Sequence, residues 1–170
     1  GYNLDEFVYT DRWNLAKLVT GSEGTLAITL ELKLNLEPLP KFKSVVVVHF
    51  AELLEAIRAV QPMLPYKASA IEIIDRTVLR LSAENLTTKQ LCYFVENDPA
   101  AILIVEFYGD TQESVIERPR QMIEVLKQQG MGYKYPIFQA GKEYDDFWNL
   151  RKKGLGLMMG IKKEKKALSF

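Results

Sequence analysis

Residues 44–50 read "SVVVVHF", with four valines in a row and no charge. A strand wetted on one face alternates apolar and polar residues, so an unbroken β-branched run belongs in the middle of a sheet. Residues 100–110, "AAILIVEFYGD", make a second long buried strand. Around these two the spacing turns helical. In "AELLEAIRAVQPML" (51–64), Leu53, Leu54, Ile57 and Val60 recur at helical intervals until Pro62 ends the pattern. "SAIEIID" (69–75) reads as a strand and "RTVLRLSAE" (76–84) as a short helix. "TTKQLCYFVEN" (87–97) reads as another helix, with a threonine available as its cap. "TQESVIERPRQMIEVLKQQG" (111–130) is a helix that Gly130 stops and Pro119 should kink or break. "YKYPIF" (133–138) is a short strand that Pro136 sends to a sheet edge. Last, "KEYDDFWNLRKKGLGLMMG" (142–160) gathers Tyr144, Phe147, Trp148 and Leu150 at helical spacing.

The order after residue 40 is therefore β-α-β-(α)-(α)-β-α-β-α. With the short helices set aside, this is the split βαβ order. It predicts an α+β, ferredoxin-like antiparallel sheet with helices on one face. An open parallel sheet fits less well, since its glycine-rich strand-to-helix turn is missing.

Upstream stands "TGSEGTL" (20–26), followed at once by Leu26, Ile28, Leu30, Leu32, Leu34 and Leu36 in strict alternation. The alternation predicts a half-buried antiparallel strand over 25–36, and "EPLPKF" with Pro38 and Pro40 is the best domain boundary. Gly21 and Gly24 allow two residues at positive φ and a close backbone approach. Successive amides in such a turn suit an anion such as phosphate. From the residues alone the plainer reading, a tight turn that merely starts a strand, is favoured, because short Gly–Ser turns are common punctuation. It is not a Walker A loop, because the lysine is missing and no helix follows, and the second reason also excludes a dinucleotide fingerprint. Any ligand here would be met by turn amides and by the Ser22 and Thr25 hydroxyls.

The composition is that of a soluble globular protein, 48% hydrophobic and 26% charged. Basic and acidic residues balance at 22 each, which leaves no field for nucleic acid or an anionic membrane. Cys92 is the single cysteine, so there is no internal disulfide and a reducing compartment fits. No apolar run reaches a membrane span and no signal peptide is visible, so we expect a cytoplasmic protein. The chain starts at Gly1 without Met and stops on "ALSF", an apolar run just beginning, so we expect a piece of a longer protein.

Few residues suggest chemistry. His49 is the only histidine and lies in the valine strand, where a hydrogen-bonded structural role fits better than a base. One histidine and one cysteine far apart do not make a zinc site. Asp145 and Asp146 are neighbours on a helix, about 100° apart, and cannot act as a dyad. The run "KKEKK" (162–166) reads as a solvated loop. Arg151 is either a bidentate fork for a carboxylate or the partner of Asp145 or Asp146. Gly154 and Gly156 mean that the helix ends near Lys153 or that something approaches its backbone closely.

"LVTGSEGTLAITLELKLNLEPLPK" (18–41) resembles a stretch of FAD-dependent oxidoreductases of the vanillyl-alcohol oxidase type, in the glycolate oxidase and D-lactate dehydrogenase branch. "GYNLDE" (1–6), "IEIIDRTVLRL" (71–81) and "FWNLRKKGLGLMMG" (147–160) are similar to segments of the same family. The resemblance implies that residues 1–38 close the FAD-binding, PCMH-type domain. Gly21, Ser22, Glu23, Gly24, Thr25 and Ile28 would then belong to the wall of the FAD site. Residues 41–170 would form the FAD-linked oxidase C-terminal substrate domain, truncated at its C-terminus. Arg151, in a "W-x-L-R" helix, would hold the carboxylate of a D-2-hydroxy acid of the D-lactate, glycolate or D-2-hydroxyglutarate type. The reaction implied is oxidation to the 2-oxo acid, with hydride passing to FAD. The family's main phosphate loop would lie upstream of Gly1 and its histidine-rich motif downstream of Phe170. This stretch alone is therefore expected to hold no FAD, no catalytic residue and no metal, and to be inactive. Its ending resembles large members fused to an iron–sulfur region, a candidate electron acceptor. Peripheral membrane association stays open for the full-length protein.

The rival reading is a non-catalytic ferredoxin-like module for ligand binding or dimerisation. It predicts a strand over 25–36 paired within one compact domain. The flavoprotein reading predicts that this segment lacks its partners, and that six aligned apolar side chains drive self-association through residues 25–36.

Overall fold

The computed structural model describes residues 2–9 and 12–160. The "KKEKK" run lies outside the described residues. The chain forms two compact units, one up to Pro38 and one from Leu39 onward.

The first unit holds two short helices, α1 (Leu4–Val8) and α2 (Leu15–Val19). Asn14 caps α2, its side chain accepting the Ala16 N–H at 3.0 Å. Asn3 Nδ2 donates to the Thr20 carbonyl at 3.1 Å, and Lys17 pairs with Glu6 at 2.6 Å, so the two helices are tied together. The strand expected over 25–36 is not formed: residues 26–40 belong to no strand or helix. Ile28, Leu30 and Leu36 are 87%, 95% and 91% exposed. The alternation prepares an apolar face, but a strand exists only once its N–H and C=O groups meet a neighbouring edge. Among the described residues no such edge pairs with this segment.

The second unit is built on a sheet of β1 (Phe42–Phe50), β2 (Ala70–Asp75), β3 (Ala101–Gly109) and β4 (Ile137–Gln139). Its order is β2-β3-β1-β4 and every pairing is antiparallel, with Val46 opposite Val105 and Glu72 opposite Ile104. That is the ferredoxin-like strand order, with the valine strand inside and β4 at the edge after Pro136. Helices α3 (Leu53–Met63), α4 (Arg76–Glu84), α5 (Ser114–Gln128) and α6 (Lys142–Met159) complete the unit.

The helices cover both faces of the sheet, which corrects the one-face expectation. Val46, Val48 and Phe50 of β1 pack under Ala56, Ala59 and Met63 of α3 and Met122 and Leu126 of α5. Val45 and Val47 pack on the other side with Val78 and Leu79 of α4 and Phe147 and Leu150 of α6. Side chains alternate across a strand, so a run of valines buries both faces only if both are roofed.

Three local expectations also change. Residues 87–97 hold a single 3-10 turn, Lys89–Leu91, rather than a helix; the Thr88 hydroxyl donates to Ser82 O, and Asn97 and Asp98 take positive φ. Helix α3 buries its small Ala56 and Ala59, which let it lie close to the sheet, and leaves Leu53, Leu54 and Ile57 exposed. Helix α5 runs through Pro119 without a break. Proline there deprives the Val115 carbonyl of its helical donor, and the buried Ser44 hydroxyl of β1 donates to that carbonyl instead.

Candidate functional site

The turn between α2 and the extended segment has an unusual backbone. Gly21, Glu23 and Gly24 all have positive φ, at 80°, 50° and 79°. The Thr25 N–H and hydroxyl both return to the Ser22 carbonyl, at 2.9 and 2.6 Å, and the Tyr2 hydroxyl stands 3.0 Å from Thr25 Oγ1. Ser22 is buried. The Glu23 and Gly24 amides make no hydrogen bond to a described residue, and a Cβ built on Gly24 meets nothing within 4 Å. The turn is thus a closed loop with an open, side-chain-free shoulder, which suits backbone contact with a ligand. Ile28, three residues past the turn, points its side chain into solvent.

In the second unit a cleft of about 520 Å³ opens between α6 and one end of the sheet. Lys43 of β1, Glu72 of β2, and Glu106 and Tyr108 of β3 form its floor; Tyr144, Trp148 and Lys152 of α6 form its wall. The register puts Lys43 opposite Tyr108, and Val45 opposite Glu106, so the polar groups follow directly on the apolar row beneath α6. Glu106 is buried and accepts a hydrogen bond from the Tyr144 hydroxyl. Burial, and then that carboxylate, push the Tyr144 phenol well above its ordinary pKa, so it stays a donor. The Lys43 ammonium lies 5.8 and 5.6 Å from the Tyr108 and Tyr144 ring centres. The Trp148 indole N–H is buried and unpartnered among the described residues.

Arg151 stands on α6, one residue before Lys152. Its partner is Glu72 of β2, not Asp145 or Asp146: Nε donates to Oε2. Helix α6 does not end near Lys153 but continues to Met159. A Cβ at Gly154 would lie 2.8 Å from Val78 Cγ1, so the close approach is by α4. The cleft therefore sets two cations, Lys43 and Lys152, among three carboxylates, Glu72, Glu106 and Asp145, with Arg151 beside it on α6.

His49 lies off this site. It is fully buried, with Nε2 3.1 Å from the Phe94 carbonyl and Nδ1 3.3 Å from that of Val47. Desolvation lowers its pKa. Cys92 is half-buried and stays a thiol, its pKa raised by burial. Sequence reasoning picked out Arg151 but passed over Glu72, Glu106, Lys43 and Lys152. The available signal was "IEII" and "IVEF", where a glutamate interrupts an otherwise apolar strand.

Comparison with known proteins adds to this geometry. Residues 39–170 match the family model for FAD linked oxidases, C-terminal domain. The chain is 29% identical over 182 residues to a D-2-hydroxyglutarate dehydrogenase of Pantoea ananatis, covering 100% of this chain and 18% of the relative. The D-2-hydroxyglutarate dehydrogenase of Escherichia coli is 28% identical over 182 residues with the same coverage. A mitochondrial D-lactate dehydrogenase (cytochrome) of Arabidopsis thaliana is 24% identical over 149 residues, covering 84% of this chain and 24% of the relative. The chain spans less than a fifth of the length of these D-2-hydroxyglutarate dehydrogenases. Among the described residues, no helix is long and apolar enough to cross a membrane.

Proposed function

This chain belongs to the FAD-linked oxidases, C-terminal domain family, and from that membership we propose that it is part of a flavin-dependent dehydrogenase that oxidises a D-2-hydroxy acid to the 2-oxo acid. The names of its relatives favour D-2-hydroxyglutarate over D-lactate as the substrate. In this reading residues 1–38 end the FAD-binding domain, and residues 41–170 form part of the substrate domain.

FAD, when bound, supplies the hydride acceptor. What this chain contributes is contact and orientation. The Gly21–Ser22–Glu23–Gly24–Thr25 turn fits one wall of a cofactor site, because the Glu23 and Gly24 amides have no partner among the described residues and the space beside Gly24 is open. Ile28 would add an apolar contact beside it. Arg151 binds the substrate carboxylate and so fixes the hydroxyl-bearing carbon.

The observation that carries this reading is the guanidinium of Arg151, poised beside a polar cleft on the helix that bears the family motif. In the full-length protein, Arg151→Ala should raise KM for D-2-hydroxyglutarate by about tenfold to a hundredfold, the loss of a charged hydrogen-bond pair. Steady-state kinetics with D-2-hydroxyglutarate and D-lactate in parallel test it. A KM that does not move would remove Arg151 from the site. The exposed alternation over 26–36 supports one further point: in isolation this chain pairs with a second copy through that segment.

A further inference from the structure

A guanidinium offers a carboxylate two docking edges, one formed by Nε with an Nη and one formed by the two Nη groups. In this chain Glu72 takes Nε of Arg151, and the two Nη groups make no hydrogen bond to a described residue. The two partners differ in freedom. Glu72 projects from a strand that the ladder holds in register opposite Ile104, and its side chain is 29% exposed. Arg151 projects from a helix on a long flexible stem and is 47% exposed.

We propose that Glu72 is the positioning residue of the substrate site: it clamps the Nε edge of Arg151 and presents the Nη pair to the substrate carboxylate. The proposal rests on the reading of Arg151 given above. A pair this exposed contributes little to stability, so its effect belongs in binding. An arginine already held in one rotamer loses less freedom when the ligand docks. Glu72 also lines the cleft that holds Glu106 and Tyr144, which joins the anchor to the polar floor. Proximity of charge is not enough for this role. It needs an acceptor oxygen at the reach of a glutamate.

The test uses the full-length protein carrying Glu72→Ala, Glu72→Asp or Glu72→Gln, each alone and with Arg151→Ala. The readouts are KM and kcat for D-2-hydroxyglutarate and the calorimetric Kd of 2-oxoglutarate. Glu72→Ala, and Glu72→Asp with its charge but not its reach, should raise KM and Kd about two- to tenfold with kcat unchanged. Glu72→Gln, which keeps an oxygen at the same distance, should stay near the parent values. With Arg151 already replaced, none of the three should matter. If Glu72→Ala does not fold, Glu72→Asp decides. A Kd equal to or tighter than the parent's in the Ala and Asp variants overturns the proposal, since Glu72 would then be idle or a competitor. If Arg151→Ala weakens binding and the Glu72 variants do not, only Glu72 loses its role. If Arg151→Ala itself changes nothing, the reading of Arg151 fails and the proposal goes with it.

Discussion

His49 is a residue whose burial has a measurable cost. Both ring nitrogens face main-chain carbonyls, yet desolvation outweighs them and its pKa lies below the ordinary 6.5. The unfolded chain therefore holds the proton more tightly than the folded one. Stability is complete above about pH 6.5 and declines as pH falls from there toward the lowered native pKa, by at most about 1.4 kcal/mol per pH unit. Thermal unfolding of this chain between about pH 5 and 7 should show that slope, and His49→Gln, which keeps a donor for the Phe94 carbonyl, should flatten it. An unchanged slope would mean that other groups titrate there. The structural role of His49 could be read from its valine surroundings. The inward face of Glu106 could not be read as readily, because the run "AAILIVEF" hides the parity that places it with Ile102 and Ile104.

At the level of elements, α4 and α6 meet at Gly154, where a Cβ would press on Val78 Cγ1 at 2.8 Å. Overpacking costs about 1–3 kcal/mol, and alanine's better helix propensity returns about 1 kcal/mol. Gly154→Ala should thus destabilise the chain by about 1 kcal/mol in denaturant titration. In a Val78→Ala background the same change should be neutral or stabilising, a coupling expected of residues in contact. Stabilisation by Gly154→Ala alone would show that the two helices can part without loss. The four strands of the second unit were legible as apolar, β-branched runs, whereas the strict period of two over 25–36 announced a strand that is not formed. The helix faces were not legible. Alternating burial on both sides of β1 already required two helical layers, and the ferredoxin-like order drew attention to one. In α3 the large side chains suggested the buried face, whereas close packing selected the alanines. The stretch "TTKQLCYFVEN" after α4 reads as a helix, but local side-chain bonds and two successive residues at positive φ turn it into a loop.

For the whole molecule, the decisive feature is the apolar alternation at 26–36 that no described residue covers. Its pattern was plain in the sequence, but a strand needs a neighbour, and the pattern names none. Sedimentation of this chain should show an average mass that rises with concentration, and Leu30→Lys with Leu34→Lys should return it to a monomer. A parent chain that stays monomeric at every concentration would contradict pairing through this segment. The functional assignment carries further, to the protein in which this chain does its work. The measurement that tests it most directly is the visible spectrum of the full-length protein, recorded without oxygen before and after adding D-2-hydroxyglutarate or D-lactate. A flavin-dependent dehydrogenase should be yellow, and its flavin bands should bleach with the hydroxy acid, more completely with D-2-hydroxyglutarate. A colourless protein that takes up no added FAD, or a flavin unchanged by either acid, would contradict the assignment.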